Sequence, residues 1–116
     1  MQAEQLSELV VNALGEIKAQ NVSVIDVRGR TSVTDYMVLA SGTSNRHVKS
    51  LADSVVSEAR EKGVRAGNVE GSGVSDWILV DLGDVVVHLM MPATREFYDL
   101  EGLWRDAPNL GVAESE

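Results

Sequence analysis

A chain of 116 residues suits one domain of about 100–150 residues, and one core should bury roughly two-thirds of its unfolded surface. Hydrophobic residues at 44% and charged residues at 24% exclude a disordered chain. Ten Lys and Arg against 18 Asp and Glu give a net charge of −8, which disfavours general nucleic-acid binding and suits a basic protein partner, while the lack of cysteine excludes disulfides and thiol chemistry.

The first residues, Met1-Gln2-Ala3-Glu4-Gln5, form no basic stretch, and no apolar run approaches a membrane span. The expected location is therefore cytoplasmic, with no membrane partner. Leu6, Leu9, Val10, Ala13, Leu14 and Ile17 recur at the three/four spacing of an amphipathic helix that ends at Gln20-Asn21. Alternation then takes over, with Val22 and Val24 on one face and Ile25 and Val27 on the other, predicting a strand over 21–27. Arg28-Gly29-Arg30 supplies a turn. Residues 35–40 are nearly continuous in apolar character, as in a strand covered on both faces.

Ser41-Gly42-Thr43-Ser44-Asn45 opens a second helix, with Thr43 or Ser44 as N-cap. Val48, Leu51, Ala52, Val55, Val56 and Ala59 form its buried stripe, and Gly63 stops it. An edge strand is expected within 64–69, and a loop at Gly71-Ser72-Gly73. Residues 77–82 and 85–91 are strands joined by Gly83-Asp84, the composition of a two-residue type II′ hairpin. That turn sets Leu82 opposite Val85, Val80 opposite Val87 and Ile78 opposite Leu89 on one side. The other side carries Trp77, Leu79, Asp81, Val86, His88 and Met90. Pro92 opens a final helix on which Phe97, Leu100 and Trp104 recur at helical spacing. The expectation is a single α/β domain over 1–106, a mixed five-stranded sheet flanked by helices, followed by a flexible acidic tail over 107–116.

The second side of the hairpin holds most of the chemistry. His88 lies opposite Leu79 and diagonal to Trp77 and Asp81. Asp81 and His88 fit either a general acid/base pair or a plain hydrogen bond on a half-wet sheet; no Ser or Cys nucleophile falls beside them in this register. A face bearing Trp77, Asp81, His88 and Met90, next to a helix bearing Tyr98, Glu101 and Trp104, has the composition of a protein-binding surface. Phe97 and Leu100 are expected beneath it, with Tyr98 or Trp104 partly offered outward. Thr43, Ser44, Arg46 and His47, at a helix start, suit contact with an anion or RNA. They lack the Gly-Lys-Ser/Thr ending and the three-glycine spacing of nucleotide loops, and an ordinary N-cap with solvated cations accounts for them at no extra cost.

Gly71-Ser72 followed by Asp81 and Asp84 is similar to the metal site of a nucleotidyltransferase, the enzymatic alternative for this chain. Two carboxylates sharing one ion must lie on one strand face, whereas Asp81 and Asp84 are three apart with Asp84 in the turn. His47 and His88 are the only histidines, and neither has a second ligand at helical spacing, so no metal or other cofactor is expected. Self-association through a sheet edge or face is the third alternative, giving a homodimer when the protein is free.

Five stretches then carry a resemblance: Ile25-Asp26-Val27, Thr34-Asp35-Tyr36, Ser41-Gly42-Thr43-Ser44-Asn45-Arg46-His47-Val48, residues 76–88 with Asp76-Trp77 and Val87-His88, and residues 95–104 ending Tyr98-Asp99-Leu100-Glu101-Gly102-Leu103-Trp104. Together they resemble the ribosomal silencing factor RsfS (Iojap) family over roughly residues 3–106. The resemblance implies a nucleotidyltransferase-like fold without the catalytic motif, and no enzyme activity. It further implies binding to the large ribosomal subunit through its protein uL14, obstruction of small-subunit joining, and lowered translation under nutrient limitation. The family's motifs place Trp77, Asp81, His88, Tyr98, Glu101 and Trp104 of this chain in the docking region.

Overall fold

The computed structural model describes residues 1–71 and 76–113, without the side chains of the last three. The apolar stripes of the first two predicted helices become the buried sides of those elements. Ala3–Glu16 (α1) turns Leu6, Val10, Ala13 and Leu14 inward. Asn45–Glu61 (α2) does the same with Val48, Leu51, Ala52, Val55 and Ala59. Ser44 is the N-cap of α2, its hydroxyl accepting from the His47 N–H at 3.0 Å.

The strands are Gln20–Asp26 (β1), Tyr36–Ser41 (β2), Asn68–Glu70 (β3), Trp77–Asp81 (β4), Val85–Met90 (β5) and Asn109–Ala113 (β6). They form one mixed sheet in the order β3-β4-β5-β2-β1-β6, in which β2 and β5 run parallel and the other neighbours antiparallel. The β4–β5 register is the expected one: Ile78 pairs with Leu89, Leu79 with His88, Val80 with Val87 and Trp77 with Met90. Gly83 meets the turn's demand for a positive φ at +87°.

Among the described residues the sheet has six strands, not the expected five, and the sixth arises within the stretch expected to be a tail. The composition of 109–113 gives little strand signal; its partner decides the matter. The outer edge of β1 offers unpaired backbone groups that β6 satisfies antiparallel, while Asn109 Nδ2 donates to Ser23 Oγ at 3.0 Å. Of the expected loop at Gly71-Ser72-Gly73, Ser72 and Gly73 lie outside the described residues.

The aliphatic side of the hairpin joins α1 and α2 in the main core, where Val38, Leu51, Val55, Ile78, Val80, Val87 and Leu89 are fully buried. A smaller cluster occupies the opposite face of the sheet, built on Ile25, Val27, Leu39 and Met90 and covered by Trp77, Leu100, Trp104 and Ala107. The expected final helix is two short ones there, Pro92–Tyr98 (α3) and Leu100–Leu103 (α4). Asp99 breaks them by adopting a left-handed conformation, φ +46°, which short polar side chains tolerate. The break turns Leu100 and Trp104 under the sheet and leaves Phe97 81% exposed, against the expectation that it would be buried.

Candidate functional site

The second face of the hairpin and the C-terminal helices together build one surface. Trp77 is half-buried on β4, and its indole packs at 5.8 Å from the His88 ring and 4.9 Å from the Tyr98 ring. Phe97 meets Tyr98 edge-on at 5.0 Å. These side chains form a continuous aromatic ladder from the sheet interior outward. His88 is nearly buried, while Tyr98 is 53% exposed.

His88 is paired differently from the sequence expectation. Trp77 Nε1–H donates to His88 Nδ1 at 3.0 Å, so Nδ1 is unprotonated and the proton of the neutral ring sits on Nε2. Burial pushes its pKa down to about 4, because a charged imidazole would lose its hydration there. Asp81 instead turns Oδ1 to the Gly83 N–H at 2.8 Å and holds the hairpin turn. The two groups share a face without forming an acid/base pair.

Beside the ladder runs an open groove of about 420 Å³. Met37, Leu79, Val86 and His88 line it, Trp104 closes one side, and Glu70 and Asp81 stand among its lining residues as acids. Asn68 completes the lining together with Thr31, Val33 and Thr34. The loop of these last three is fixed by a bidentate pair from Arg28 Nε and Nη2 to Asp26, at 3.0 and 2.8 Å, and by Arg30 Nη2 donating to the Asp106 carbonyl at 3.0 Å.

The other expected site residues separate into outward and inward roles. Met90 is fully buried and supports the face from beneath, as its place opposite Trp77 in the central strand β5 requires. Glu101 is held by Arg95, whose Nε and Nη2 donate to its two oxygens at 2.9 and 3.0 Å. The Arg95 hydrogen bonds hold the Glu101 carboxyl below the usual range, against an opposing push from burial. Arg95 entered the sequence reading only as part of a motif, because residues six apart on a continuous helix do not face each other and the break at Asp99 is what brings Arg95 and Glu101 together.

The start of α2 is also committed internally. The Thr43 N–H donates to His47 Nδ1 at 2.9 Å, and His47 Nε2–H donates to the Ile17 carbonyl at 2.7 Å. Both ring nitrogens are thus engaged in tying the end of α1 to α2, which removes His47 and the Thr43 N–H from an anion cradle. Arg46 remains exposed. Gly42 is small for packing reasons: a Cβ there would come within 2.9 Å of the Val48 nitrogen and Cγ2. Among the described residues, no three His, Cys, Asp or Glu side chains converge as a metal-binding group, and no helix is long and apolar enough to cross a membrane.

The fold and the site together define a class, a single mixed-sheet α/β domain that presents an aromatic ladder beside an acid-bearing groove. Within that class, the chain belongs to the family described as "Ribosomal silencing factor during starvation", whose model matches residues 1–116. The ribosomal silencing factor RsfS of Chromobacterium violaceum is 44% identical over 104 residues, covering 90% of this chain and 85% of that one. A crystal structure of a Chromobacterium violaceum protein superposes with a TM-score of 0.89 at 44% identity, covering 90% of this chain and 88% of that one. The mouse protein named mitochondrial assembly of ribosomal large subunit protein 1 is 38% identical over 100 residues, or 84% of this chain and 44% of its own length.

Proposed function

We propose that the chain docks on the large ribosomal subunit through ribosomal protein uL14 and blocks the small subunit by occupying its space, lowering translation when nutrients are scarce. The observation that carries this reading is the exposed Phe97–Tyr98–Trp77 ladder beside a groove bearing Glu70 and Asp81, on a chain of net charge −8. Aromatic anchors supply desolvated contact area, and the acids steer a basic partner. The mechanism is steric and needs no reacting group. A dock of this kind buries on the order of 1,200–2,000 Å². Arg46 is the group best suited to a peripheral contact with ribosomal RNA. A homodimer formed by the free protein through the Trp77 face would compete with the ribosome.

The test is co-sedimentation of the purified protein with large subunits, followed by a subunit-joining assay. Co-sedimentation and slowed joining are expected, and a Trp77→Ala, Tyr98→Ala double variant should lose both while remaining folded. A wild-type protein that neither pellets with large subunits nor slows joining would overturn the reading.

A further inference from the structure

The aromatic ladder depends on helices that have little else to hold them. α3 has seven residues and α4 four, and no residue of either is fully buried. Isolated helices shorter than about 12–15 residues are marginal in water. Leu100 and Trp104 pack α4 under the sheet. Among the described residues, Arg95 is the α3 side chain that hydrogen-bonds the sheet.

Arg95 sits where the starts and ends of several elements meet, its side chain only 11% exposed. Nη1 donates to the Asn21 carbonyl at 2.7 Å and to Ser41 Oγ at 3.1 Å, reaching the ends of β1 and β2 together. The rest of the fork grips Glu101 on α4, across the Asp99 break. One guanidinium thus joins two strands and two helices. Tyr98 follows three residues later on α3, which places it on the same side of the helix.

We infer that Arg95 is a positioning residue for the docking surface: its fork sets the rotation of α3 that seats Tyr98 on Trp77 and leaves Phe97 outward. The inference rests on the proposed docking role for its functional consequence, and on geometry alone for its structural one. A lysine cannot replace the fork, because a single ammonium has no planar array to serve a carboxylate, a carbonyl and a hydroxyl at once.

The experiment compares full-length wild type with Arg95→Gln, Arg95→Lys, Glu101→Gln, Tyr98→Ala and the Arg95→Gln, Tyr98→Ala double variant. Cross-ring NMR contacts between Tyr98 and Trp77 are read on the free protein, with the amide spectrum of α1 and α2 as the folding control. These contacts should vanish in Arg95→Gln and Arg95→Lys and weaken in Glu101→Gln, while the α1 and α2 signals stay in place. Affinity for purified large subunits should fall about tenfold in Arg95→Gln, with little further loss when Tyr98 is already alanine. Retained ring contacts in a folded Arg95→Gln protein would overturn the inference. So would an undiminished tenfold loss on the Tyr98→Ala background, which would make Arg95 a direct contact. Should Arg95→Gln not fold, Arg95→Lys and Glu101→Gln decide by the same ring contacts. Wild type that fails to bind large subunits defeats the docking reading, while the ring contacts still decide the role of Arg95.

Discussion

The two faces of the sheet are held by different physics. Under α1 and α2, long aliphatic stripes from two helices and the hairpin interlock into a dry core. Under α3 and α4, four buried residues (Ile25, Val27, Leu39 and Met90) form the cluster, and half-buried indoles cover it. Directional polar bonds finish that face: Trp77 to His88, and Arg95 to Glu101, Asn21 and Ser41. Apolar burial is non-directional and supplies most of the folding free energy. Hydrogen bonds add less net stability and fix geometry instead. One face therefore makes the domain stable, while the other gives a small set of exposed rings a definite arrangement.

Changes on the face covered by α1 and α2 should dominate stability. Leu51→Ala removes a fully buried side chain and should cost about 2–5 kcal/mol, measured by chemical denaturation. Large-subunit affinity per folded molecule should stay at the wild-type level; its loss would break the division between the faces.

Acid should act on the other face through His88. Its pKa is held near 4, so as pH falls the unfolded chain takes up the proton first. The His88 contribution is complete above about pH 6.5 and declines toward pH 4, by about 3 kcal/mol in all. Protonation would also turn its Nδ1 from acceptor to donor against the Trp77 N–H. Asp26 and Glu101, whose carboxyls the neighbouring arginines lower, act alike in the wild type and in a His88 variant, so a comparison of the two between pH 4.5 and 6.5 isolates His88. In this window His88→Gln should flatten the fall of stability with acid, and equal slopes in the two proteins would refute the assignment.

A smaller loss belongs to the cap of α2. Ser44→Ala leaves the His47 N–H without its hydroxyl acceptor and should cost about 1 kcal/mol, visible as a lower denaturation midpoint with unchanged ribosome binding. Smallest for stability is Phe97→Ser, which removes an exposed ring and should move folding by no more than about 0.5 kcal/mol. Its effect should appear in large-subunit affinity. A wild-type affinity in that variant would confine the proposed docking surface to Tyr98 and Trp77.

The hairpin shows how far residue patterning reaches. A two-residue turn leaves one register, so the six aliphatics and their six opposite-face neighbours could be assigned before any coordinates. The same register put Trp77, Asp81 and His88 on one face, yet it did not say which pair would bond. Both candidates were within reach, and the choice went to the indole because Asp81 was drawn into the Gly83 turn. The start of α2 was ambiguous for the same reason: an N-cap and an anion cradle use the same residues, and the Ile17 carbonyl that engages His47 lies 30 residues away.

The sequence by itself determined the two amphipathic helices, the hairpin, the face on which the aromatics gather and the acidic charge of the chain, because each follows from neighbours a few residues apart. Tertiary structure alone decided the sixth strand, the break at Asp99, the exposure of Phe97 and the convergence on Arg95. Each of those depends on partners supplied by distant segments, an open strand edge for β6 and two strand ends for the guanidinium, and local periodicity carries no record of which distant groups will meet.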